Sequence, residues 1–106
     1  MGALRLTLAA LALIAAAELG AAPVDRLYAQ HCAVCHGPTR LGGTGPALLP
    51  ENLQRLRRKA AVEVIAKGRI ATQMLGFADK LSAEDIRQLA DYIYLPPAEA
   101  PRWTLA

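Results

Sequence analysis

Large side chains are scarce in this chain of 106 residues. It has one Phe, one Trp and three Tyr, so aromatics make up only 5% of it. A small domain this poor in large residues is short of core volume, which leaves room for something else at its centre. Cysteine is scarce too, and two residues are too few for a disulfide scaffold. Charge of one sign is weak: the formal +3 does not by itself argue for nucleic acid. With 54% hydrophobic and 20% charged residues, the chain is neither disordered nor fibrous in composition. Its length allows one small domain. No internal repeat and no alternating strand pattern is visible.

The one long uncharged run is too short to anchor the chain. Arg5 gives the start a positive charge, Leu6 to Ala17 carries none, and small residues follow. That order is the order of an export leader. A membrane span needs about 20 apolar residues, and this run ends at Glu18. Cleavage after Ala17 satisfies a small-x-small pattern with Ala15, whereas cleavage after Ala22 would place Pro23 next. A leader over residues 1–17, to at most 22, is expected, with no retained membrane anchor. The remainder is about 85–89 residues, a size that rarely stabilises itself without a staple.

Helical spacing dominates the rest of the chain. Pro23 to about Ala33 reads as a helix, with Pro23 as first residue, Asp25 at its positive end and Val24, Leu27 and Tyr28 on one face. Leu53 to Lys67 reads as helical, in one or two pieces, with Leu53, Leu56, Ala60 and Val64 recurring and Gly68 beyond its end. Ser82 to Asp85 forms a capping box opening a helix with Ile86, Leu89, Ala90 and Ile93 inward. Pro96 and Pro97 stop it, leaving a Pro-rich tail, 96–106, with Trp103. The expected fold is all-α, three to four helices, with its domain at 23–95. Two irregular stretches, Gly37–Pro50 and Ile70–Lys80, are long for a compact domain. They make sense if they wrap a bound group.

Cys32-x-x-Cys35-His36 names that group. The spacing is the attachment signature of c-type haem. Two thiols about one helical turn apart can each add to a vinyl group of one porphyrin, and His36 then lies under the iron. A thioredoxin-like pair needs a βαβ setting that the pattern lacks. A zinc site needs further ligands outside this one segment. A plain disulfide leaves His36 and the leader unexplained. Met74 is the only methionine beyond Met1. A lone Met is often core filler, but this one sits in a loop that can reach the second face of the iron. His/Met ligation raises the potential and suits electron transfer. His31 is the rival ligand, expected on the wrong face.

These residues resemble the class I cytochrome c family over about Val24 to Leu95. The likeness rests on Cys32-Cys35-His36, Gly45-Pro46-Ala47-Leu48, Gly68, Met74 with Phe77, and the closing helix around Leu89 and Tyr92. It implies one haem c bound covalently through Cys32 and Cys35, with His36 and Met74 as axial ligands. It implies that the Pro46 carbonyl accepts a hydrogen bond from the His36 ring, that Leu48 packs on the haem, and that Tyr28 meets Tyr92 where the first and last helices cross. One position departs: the family often has Pro after the axial Met, and here it is Leu75.

A narrower resemblance lies in the run from His36 to Leu53, in Gln73–Phe77 and in the Pro-rich tail. These look like cytochromes encoded with the cd-type nitrite reductase of denitrifying bacteria. Both the small free cytochrome of that cluster and the haem c domain of its reductase-like relative share the pattern. In the relative a large β-propeller follows such a tail, so with the sequence ending at Ala106 the free form is expected. The implied protein is a periplasmic, monomeric one-electron carrier rather than an enzyme. Its partner would be a redox protein such as a cd-type nitrite reductase, with no nucleic acid. The rival is a redox enzyme or assembly factor in haem d1 maturation. Arg55, Arg57, Arg58 and Lys59, with Lys67 and Arg69, make one basic region. It is either a solvated face or a patch that steers an acidic partner.

Overall fold

The structure is a computed structural model describing residues 22–102. The leader expected at 1–17 and Trp103 lie outside the described residues. Among the described residues four α-helices follow in order: α1 (Val24–His31), α2 (Ala33–His36), α3 (Arg58–Lys67) and α4 (Ala83–Ile93). A 3₁₀ turn at Pro50–Asn52 precedes α3. Among the described residues there is no strand, only an isolated bridge between Gly68 and Leu75.

The first helix is shorter than expected at both ends. Pro23 stands outside it as the cap, with ψ of 140°, instead of as its first residue. At the other end Cys32 leaves helical geometry at φ −115° and divides α1 from the single turn of α2. The division costs few backbone bonds: Cys32 N donates to Tyr28 O and His36 N to Cys32 O, both at 2.9 Å.

α3 begins at Arg58, later than the spacing from Leu53 suggests. Leu53–Leu56 forms a separate turn, with Leu56 N donating to Leu53 O at 2.9 Å. The Leu56 carbonyl is taken by the Tyr94 hydroxyl, and Arg57 is extended. The buried face is accordingly Ala61 and Ile65, with Leu53 from the turn; Ala60 and Val64 are only half-buried.

α4 forms as expected. Asp85 N donates to Ser82 Oγ at 3.0 Å and Ser82 N to Asp85 Oδ2 at 3.3 Å, so two amides at the helix start are satisfied reciprocally. It buries Ile86, Leu89, Ala90 and Ile93, and each of the three larger side chains is worth about 1.5–3 kcal/mol. α4 packs against both α1 and α3. At the first crossing the Tyr28 and Tyr92 rings lie 5.4 Å apart at 53°.

Candidate functional site

The helices and the two irregular loops enclose a cavity of about 820 Å³. Cys32, Cys35, His36, Pro46, Leu48 and Met74 all line it, so all six expected site residues are brought to one place. Leu53, Ile65, Phe77 and Leu89 add apolar wall. Val34 and Leu75 line it too while remaining largely exposed. No acidic residue lines it, whereas Arg55 and Arg69 do, and both are exposed.

The break after α1 aims the cysteines. Both are half-buried and they are not joined to each other. Burial pushes the Cys32 thiol up to about 11, so it stays protonated at neutral pH. His36 ends α2, and its Nδ1 lies 2.7 Å from the Pro46 carbonyl. A carbonyl only accepts, so Nδ1 carries the proton and Nε2 is the nitrogen left for a ligand. Gly45 makes this approach possible: a Cβ there would stand 3.0 Å from His36 Cε1.

Met74 is held from the opposite side. Gly68 ends α3 at φ +75°, where a Cβ would strike the Met74 carbonyl. That carbonyl accepts from Arg69 N at 3.1 Å, while Met74 N donates to Thr72 Oγ1 at 3.2 Å. The chain then returns to α3, with Phe77 N on Ile65 O at 2.9 Å and Ala78 N on Ala66 O at 3.1 Å. These bonds order the loop where the family often relies on a proline at position 75.

Four features differ from the sequence reading or escaped it. His31 is not turned away: it lines the cavity, edge-on to Phe77 with ring centroids 5.8 Å apart. Arg58 is not free, since it pairs with Asp91 at 3.3 Å and lies over the Tyr94 ring at 5.3 Å. Arg40 is buried, which nothing in a polar, glycine-rich loop signals. The contact of Gly45 with His36 is equally silent in sequence.

The residues fit a tetrapyrrole better than a bare ion. The cavity has the size and apolar lining of a large-ligand site. Among the described residues no group of three or more His, Cys, Asp or Glu is placed to hold a metal. Nor is any helix there long and apolar enough to cross a membrane.

A helical fold that gathers a Cys-x-x-Cys-His segment and a methionine loop around one cavity defines a class I monohaem c-type cytochrome. The chain belongs to the cytochrome c family described as "Cytochrome C oxidase, cbb3-type, subunit III", which matches residues 20–93. It is 40% identical over 82 residues to cytochrome c55X of Stutzerimonas stutzeri, covering 77% of this chain and 72% of that one. It is 51% identical over 90 residues to the dihydro-heme d1 dehydrogenase of Pseudomonas aeruginosa, covering 85% of this chain. The match spans only 18% of that dehydrogenase. A solved c-type cytochrome NirC is similar with a TM-score of 0.62 and 40% identity, over 66% of this chain and 82% of that one.

Proposed function

We propose that this protein is a periplasmic, monomeric one-electron carrier serving a cd-type nitrite reductase in denitrification, exported by a leader at residues 1–17, to at most 22. One observation carries the reading: Cys32, Cys35, His36 and Met74 converge on a single apolar cavity, with His36 already oriented by Pro46. Haem c, when bound, supplies one-electron Fe(III)/Fe(II) chemistry. Cys32 and Cys35 are the residues that would hold it covalently, and His36 Nε2 and the Met74 sulfur those that would ligate iron. Leu48, Ile65 and Phe77 exclude water, which favours the less charged site. Arg55 and Arg69 line the cavity as exposed cations that would pair with the carboxylates of a bound haem. Likeness to cytochrome c55X supports carriage. Likeness to the dihydro-heme d1 dehydrogenase supports a second reading, a redox step in haem d1 maturation.

The test starts from intact mass. A c-type protein keeps one haem through denaturation. The reduced protein should then be oxidised by purified cd-type nitrite reductase at a saturable rate. No exchange with the reductase, together with oxidation of dihydro-haem d1, would favour the second reading. Arg55, Arg57 and Lys59 are exposed. Neutralising all three should slow this exchange at low salt and have little effect at high salt, because exposed charges are screened within about 10 Å at 0.1 M. Equal rates at every ionic strength would make them a solvated face.

A further inference from the structure

Arg40 sits where an arginine is costly. It lies in the loop between α2 and the 3₁₀ turn, is only 4% exposed, and has φ of +65°. Left-handed backbone is strained for a residue with a Cβ and persists where the surroundings over-determine it. A buried cation also needs compensation. Arg40 makes no ion pair among the described residues. Its Nη1 instead donates to three carbonyls: Leu48 at 3.3 Å, Tyr92 at 3.1 Å and Ile93 at 3.1 Å. Tyr92 and Ile93 close α4, so the cation rests at the negative end of that helix. It also lies over the Tyr92 ring, 5.0 Å from the centroid.

The same residue grips its own loop by the backbone. Arg40 N donates to Gly37 O at 3.2 Å, and Arg40 O accepts from Leu48 N at 2.9 Å. Gly37 follows His36, and Leu48 lies two residues beyond Pro46. Both ends of the segment that carries the His36–Pro46 bond are thus held by one residue. Tyr28 completes the ring: its hydroxyl donates to Gly37 O at 2.7 Å while its ring packs on Tyr92.

We infer that Arg40 is a positioning residue for the iron ligand, pinning the loop to the end of α4 so that the Pro46 carbonyl stays on His36 Nδ1. The inference rests on the haem reading above. A firm bond at Nδ1 makes the opposite nitrogen a stronger donor, so Arg40 acts on the iron through the loop, without touching it.

The test uses the haem-loaded protein and Arg40→Gly, which removes the guanidinium and relaxes the left-handed backbone. The readout is hydrogen exchange of His36 Nδ1–H, followed by NMR in the reduced protein. Exchange about tenfold faster than wild type, or more, is expected from loss of the clasp. Tyr94→Phe is the control, because it deletes a hydrogen bond to Leu56 O away from the loop. It should lower the denaturation midpoint and leave the exchange unchanged. Wild-type exchange in Arg40→Gly overturns the inference, and so does equal acceleration in Tyr94→Phe. If Arg40→Gly does not retain haem, Arg40→Lys keeps the charge without the planar fork and is read in the same way, with wild-type exchange again overturning the inference. A wild-type protein whose mass shows no haem overturns the haem reading instead.

Discussion

His36 and Met74 reach the cavity by unlike routes, and the difference sets what each substitution does. His36 is bracketed by Cys35 and a loop bonded to its ring. Met74 hangs on a loop held by backbone bonds and the Thr72 hydroxyl, with no bond to its own side chain. Met74→Ala should therefore leave haem attached while opening the sixth position. The expected signs are a high-spin spectrum, binding of small ligands and a lower potential; an unchanged spectrum would return Met74 to core filler. Tyr28 titrates far from its usual range. Burial pushes it up to about 12 from 10.0, and the Cys32 sulfur adds to this only while it is a free thiolate. The fold thus favours the neutral phenol, and its contribution is whole below pH 10 and lost as pH rises from 10 through 12. Tyr28→Phe should flatten the loss of stability across that window, measured by urea midpoints of the haem-loaded protein. At neutral pH it should cost about 1 kcal/mol for the bond to Gly37. At this scale the sequence was legible where chemistry is contiguous, as in Cys32–His36, or unique, as with Met74. Resemblance alone pointed to Pro46. Arg40 was illegible, because its partners are backbone carbonyls, two of them more than fifty residues away, that carry no sequence signal.

Among the elements, α4 was the most legible and α3 the least. The capping box of α4 is a local side-chain pattern, so its start could be read directly. The start of α3 is decided by Tyr94 claiming the Leu56 carbonyl, a contact across 38 residues. Helical spacing continues through Leu53–Leu56 although the helix does not. The far end of α3 was readable at Gly68, and the reason is now visible. Phe77 and Ala78 amides bond the carbonyls of Ile65 and Ala66, so the methionine loop caps the helix that precedes it. Gly68→Ala should break this join. With φ of 75° and ψ of −172° the backbone lies in a region open almost only to glycine, where a Cβ costs about 1–3 kcal/mol, and the Cβ would also press on the Met74 carbonyl. The expected result is a lower denaturant midpoint with partial loss of methionine ligation in the visible spectrum. A change in the midpoint alone would show that the loop tolerates a displaced glycine.

On the scale of the molecule, α4 is the common partner of α1 and α3, and the cavity opens beside them rather than between two complete layers. The shortage of aromatics foretold a centre not filled by side chains, and two long loops foretold what encloses it. Empty core volume costs about 24 cal/mol per Å³ in well-packed proteins. At about 820 Å³ that rate gives on the order of 20 kcal/mol, an upper bound because water enters an open cleft. It still exceeds the roughly 5–15 kcal/mol by which a domain is stable. The Cys32→Ala/Cys35→Ala double variant, purified without haem, should be largely unfolded, with weak helical circular dichroism and no cooperative melt. A cooperative transition with full helix content would show that the helices carry the fold alone.

Because the methionine loop and the end of α3 satisfy each other's backbone groups, the backbone that carries Met74 cannot swing aside by itself. Moving that backbone exposes two helix carbonyls and two amides together, so release of the loop is a local unfolding event. Such events run on microseconds to seconds, far slower than side-chain flips. The distal door therefore opens on its own clock. An external ligand offered at rising concentration would reach a ceiling in its rate of entry, and that ceiling would measure how often the loop peels from the helix.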